Sequence, residues 1–153
     1  MSKQKYTLSA RNLSVADRKT KSTRFSYPGV ILRIGASGLT NDTIATIAIF
    51  NSTNRKTGDM IQIYYLPVNI PPTEAVKTGA DESVCGHCKL RPLIAKEQNI
   101  KPCYVNKFHG PSAVYRSFKA GYYPHLDNMK PRLRQGFLHL LAIKPVRLGA
   151  WGD

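Results

Sequence analysis

Between Thr43 and Phe50 the chain reads TIATIAIF, a run that is apolar or β-branched at odd and even positions alike. A strand sends successive side chains to opposite faces, so a run without a polar face belongs to a strand covered on both sides. Two further strands flank it. Val30–Ile34 is a short β-branched run entered from Pro28-Gly29 and closed by Gly35–Gly38. Met60–Leu66, MIQIYYL, follows the loop Asn51–Asp59, whose Asn, Thr and Gly content fits a hairpin connection. Pro67, Pro71 and Pro72 end the strand region.

After residue 72 the pattern changes period. Thr73–Lys77 reads as one helical turn, stopped by Gly79. Gly110-Pro111 opens a helix in which Val114, Phe118 and Tyr122 recur at i, i+4 and i+8, with Gly121 as its stop. A second helix is predicted over Lys130–Ala142, where Leu133, Phe137, Leu140 and Leu141 form an apolar stripe. Lys144–Leu148 reads as a last short strand, with no helix after it to cover it. Strands first and helices later predict an α+β fold: N-terminal β-strands, then a cysteine-bearing segment, then two amphipathic helices.

At 153 residues one domain is expected. Residues 1–26 are polar and basic and read as a flexible arm, with one short helix over Ser14–Lys21; residues 27–153 form the domain. No apolar run reaches the roughly 18–20 residues of a membrane span, and the N-terminal stretch has no apolar signal core. A cytoplasmic protein is the expectation.

Charge narrows the partner. Lys and Arg number 23 against 9 Asp and Glu, for a net charge of +14. The excess lies at both ends: residues 1–33 are net +7, residues 34–85 net −2 and residues 86–153 net +9. Clustered basic charge of this size is the footprint of a nucleic-acid binder. Lys101, Lys107, Arg116, Lys119, Lys130, Arg132 and Arg134 are the candidate phosphate contacts. Tyr104, Phe108, Tyr115, Phe118, Tyr122 and Tyr123 interleave with these cations. Exposed rings can stack unpaired bases, but Val114, Tyr115 and Phe118 at helical spacing read as core. No zinc-finger, RNP or GxxG signature is present, so sequence-specific base reading is not supported.

All three cysteines fall within residues 81–109. Cys85-Gly86-His87-Cys88 is a C-x2-C knuckle, whose tight turn lets two thiolates face one ion. Cys103 follows fourteen residues further on, and His109 is the first choice for a fourth ligand, ahead of His87 and His125. Lys89, Arg91 and Lys101 are expected to favour the thiolates. Zinc is the leading metal and an iron–sulfur cluster the alternative. The site reads as structural, since Asp81, Glu82 and Glu97, the nearest carboxylates, read as surface charges. Arg55–Asp59 lacks the Walker A pattern and reads as a hairpin.

Several segments in order carry a resemblance: Lys56-Thr57-Gly58-Asp59, the Cys85–Cys88 knuckle, Cys103-Tyr104-Val105-Asn106, Gly110-Pro111 with Val114-Tyr115-Arg116 and Phe118-Lys119, Gly121-Tyr122-Tyr123-Pro124, and Val146–Asp153. This series resembles a group of uncharacterised bacteriophage proteins, which share these motifs and a strand ending in Gly-Asp-Pro; here the sequence stops at Gly152-Asp153. That group is distantly similar to phage DNA-guanine transglycosylases, relatives of the tRNA-guanine transglycosylases. The resemblance implies part of a (β/α)8 barrel, with a strand-end carboxylate such as Asp153 in guanine exchange. A barrel needs about 200 residues or more, so a shortened relative that keeps the metal knuckle and the basic surface is implied. Three readings follow: a metal-stabilised, phage-type nucleic-acid binder using backbone phosphate contacts; a shortened or fragmentary transglycosylase-like DNA-modification enzyme; and a phage inhibitor that binds an acidic surface of a host protein. A phage-encoded chain would act in the host cytoplasm.

Overall fold

A computed structural model describes residues 27–50 and 58–152. The arm over residues 1–26, with its expected helix, and the loop over residues 51–57 lie outside the described residues, as does Asp153. The element order is β1 (Gly29–Ala36), β2 (Thr43–Ile49), β3 (Ile61–Pro67), α1 (Pro72–Thr78), α2 (Glu82–Cys85), α3 (Pro92–Glu97), α4 (Gly110–Lys119), a 3-10 turn (Leu126–Asn128), α5 (Pro131–Ile143) and β4 (Val146–Trp151).

The four strands make one sheet in the order β1-β2-β3-β4. β1, β2 and β3 are an antiparallel meander, and β4 joins β3 in parallel. The sheet is open, so the barrel implied by the resemblance is not supported. A parallel neighbour needs a long crossover, and here the crossover contains every described helix.

The doubly apolar run is the centre of the molecule. Ala45 and Ile47 of β2 join a core with Leu66, Ala75, Val84, Val114, Tyr115, Phe118 and Trp151. Ala48, one residue from Ile47, joins the opposite core with Phe50, Ile61, Ile63, Phe137 and Leu140. Helices α1, α2 and α4 therefore cover one face of the sheet, and α5 covers the other. Phe50 and Phe137 meet edge to face at 5.4 Å, a geometry worth about 0.5–1.5 kcal/mol beyond the area it buries.

Helices α1, α3, α4 and α5 each begin with a proline in the first turn. Proline holds the dihedral a helix start needs and lacks an N–H that would go unpaired there. α4 stops at Lys119, so Tyr122 lies beyond the helix and is exposed, while Tyr123 is buried.

β4 differs from its sequence expectation. It runs through Gly149, Ala150 and Trp151, residues expected to follow the strand. Gly149 adopts a positive φ of 62°, and the register slips between the Gln62–Arg147 and Tyr64–Trp151 pairs. The bulge keeps the chain paired and buries Ala150 and Trp151. No helix among the described residues is long and apolar enough to cross a membrane.

Candidate functional site

Residues 79–109 wind through short helices and turns, and buried polar contacts fix their path. The Arg91 guanidinium donates to the Asp81 carboxylate, to the Gly79 carbonyl at 2.6 Å and to the Gly86 carbonyl at 3.1 Å. Ser37, just past β1, donates to the Ser83 carbonyl at 2.6 Å and so pins α2 to the sheet. The Cys103 amide donates to the Leu90 carbonyl at 2.8 Å, which draws the second cysteine segment back against the first.

The outcome is a cavity of about 200 Å³ whose wall includes Cys85, Cys88 and Cys103 together with Asp81, Arg91 and Lys107. Gly149 and Trp151 close it from β4. All three cysteines are free thiols. Cys85, Cys88 and Cys103 thus line one cavity. His109 is not in that wall: it precedes the first residue of α4 and is exposed. His87 is exposed and faces Glu82 at 3.6 Å, and His125 accepts from the Asp127 amide beside β1. Among the described residues, no three or more His, Cys, Asp or Glu side chains form a group able to hold a metal ion.

Two sequence expectations are corrected here. Asp81 is not a surface charge but a buried partner of Arg91. The cations do not favour a Cys85 thiolate either. Burial first, then the negative charge of Asp81 and the neighbouring Cys103 and Cys88, push the Cys85 thiol up to about 12 against the opposing pull of Arg91. Arg91 is already committed to Asp81, so little of its charge is left for the thiol.

The candidate phosphate contacts fall into three groups. Arg116 and Lys119 occupy the last turn of α4, on one side of the sheet. Lys130, Arg132 and Arg134 sit at the start of α5, on the other side. The segment between them crosses the β1 edge, where the Ile31 amide donates to the Pro124 carbonyl at 2.9 Å. Arg33, an exposed cation on β1 itself, was not singled out by sequence. Lys101 and Lys107 form the third group, on the loop that carries Cys103.

Four of the described carboxylates are occupied elsewhere. Glu74 pairs with Lys77, Asp81 and Glu82 with Arg91, and Asp59 with Lys144 at 2.7 Å. Lys101, Lys107, Arg116, Lys119, Lys130 and Arg134 have no carboxylate partner among the described residues. Comparisons with protein-family models, with curated proteins and with solved structures gave no match.

Proposed function

We propose that this chain binds nucleic acid through its phosphate backbone, on a scaffold braced by a zinc ion at Cys85, Cys88 and Cys103. The carrying observation is the uncompensated charge. Six cations at candidate positions lack a carboxylate partner among the described residues, while Asp59, Glu74, Asp81 and Glu82 are held by other groups. Cations left in this state gain by neutralising phosphates and releasing their counterions.

The metal part of the reading is supported by three free thiols in one cavity wall. Cys88 and Cys103 lie in stretches without helix or strand, so closing them on an ion displaces no element of the fold. The motif resemblance to bacteriophage proteins is consistent with a small accessory protein of this kind.

The test is the salt dependence of binding to a labelled 20-base-pair duplex, followed by fluorescence anisotropy. Neutralising six phosphates weakens affinity by about a thousandfold between 50 and 200 mM salt. Exchanging Arg116 and Lys119 together for Gln should make the logarithmic slope shallower by about two. A flat salt profile defeats the proposal.

A further inference from the structure

The loop between Cys103 and α4 presents its aromatic rings outward. Tyr104 is 82% exposed and Phe108 is 71% exposed. Large rings gain from burial, yet both stand outside the two cores, in a loop that is otherwise fixed. The Cys103 amide holds one end to Leu90, and the Ser112 hydroxyl donates to the Lys107 carbonyl at the other. The Phe108 amide donates to Asn106 Oδ1 at 3.0 Å. From β4, Arg147 reaches the Tyr104 hydroxyl at 3.4 Å.

Cations accompany the rings, one in contact and two as neighbours in sequence. Lys107 lies between them in sequence, Lys101 precedes them and Arg147 touches Tyr104. None of these three has a carboxylate partner among the described residues. Rings for flat apolar bases beside cations for phosphates are the two elements of a single-strand site. A paired duplex offers the phosphates and keeps its base faces stacked away, so it engages only half of this surface.

We propose that Tyr104 and Phe108 are stacking platforms for the unpaired bases of a single-stranded polynucleotide, with Lys101, Lys107 and Arg147 taking its phosphates. This rests on the phosphate-binding reading above and narrows its partner from nucleic acid in general to single strands.

The experiment compares full-length protein binding to labelled dT15, to U15 and to a 15-base-pair duplex at one salt concentration. Tighter binding of either single strand than of the duplex is expected. Tyr104→Ala and Phe108→Ala should each weaken single-strand binding about tenfold and leave duplex binding unchanged. Tyr104→Phe keeps the ring and should keep single-strand affinity, which separates stacking from the hydrogen bond to Arg147. Thermal melting of each variant confirms that the fold persists. Single-strand affinity unchanged in both alanine variants overturns the inference, as does equal weakening toward duplex and single strand. In those cases salt-dependent duplex binding still upholds the broader reading. Absence of binding to all three probes removes both.

Discussion

The Arg91 guanidinium donates to the Asp81 carboxylate at 2.9 Å while 7% and 2% of the two side chains are exposed. The pair lines the thiol cavity and ties Asp81, before α2, to Arg91, before α3. Removing one member of such a pair leaves a charge buried without a partner. Arg91→Met should cost about 3–5 kcal/mol, read from urea denaturation. In Arg91→Met/Asp81→Asn much of that cost should return. A loss below about 1 kcal/mol in the single variant would show that the pair does not organise this segment.

In the metal-free protein the thiols should differ in reactivity. Cys88 is exposed, whereas the Cys85 proton is held up to about 12 by burial and by Asp81. The thiolate is the nucleophile, so iodoacetamide at about pH 8 should modify Cys88 first and Cys85 last. Peptide mass spectrometry over time reads the order directly, and equal rates at the two positions would contradict it.

In the metal-free protein the same raised value gives stability a pH dependence. Below about pH 9 Cys85 is protonated in both folded and unfolded chains. Between about 9 and about 12 the unfolded chain releases the proton and the folded chain keeps it. Folding stability is therefore complete below that window and falls as pH rises through it. Burial raises Tyr64, Tyr115 and Tyr123 as well, and these add with the same sign. The urea midpoint should drop from pH 8 to about pH 10.5, and Cys85→Ser should lessen the drop.

Zinc loading is checked by elemental analysis of anaerobically purified protein. About one zinc per chain is expected, reduced strongly by Cys103→Ser. Iron with acid-labile sulfide in its place would make the site a cluster. A metal-free protein would remove zinc from the proposal and leave the phosphate contacts standing.

Gly152 is a packing constraint. Its φ is 79°, and a Cβ there would lie 2.8 Å from Tyr65 Cβ and 2.9 Å from the Val84 carbonyl oxygen. Gly152→Ala should destabilise by about 1–3 kcal/mol through backbone strain and overlap. A thermal midpoint equal to that of the parent protein would contradict this contact.

Long periodic segments were legible in the sequence. TIATIAIF foretold a strand with two covered faces, and the stripes at Val114–Phe118 and Leu133–Leu141 marked α4 and α5. Four-residue α2 and six-residue α3 were missed, since neither is long enough to show a helical period. Pro92 was a readable start signal for α3. The end of β4 was missed because the strand was read as ending at Leu148, whereas Gly149 supports a bulge within it. At the site, Cys85, Cys88 and Cys103 were read as neighbours from spacing. The Arg91–Asp81 pair left no such trace, because it joins two turns ten residues apart and only the folded path makes them adjacent. Core rings and exposed rings were likewise inseparable by composition. Tyr115 and Phe118 on a helix and Tyr104 and Phe108 on a loop have the same chemistry, and only their placement distinguishes them.

The parallel union of β3 with β4 also sets an order of assembly. β1, β2 and β3 follow one another closely in sequence and can zip together locally. Ile61 must instead wait for Val146, with all the described helices between them. Closing so long a loop is slow and entropically costly, so β4 docks late. Gly149 and Trp151 then wall the thiol cavity as one of the final events. Before that event Cys85 is not yet shielded, and the nascent chain is more vulnerable to oxidation than the finished protein.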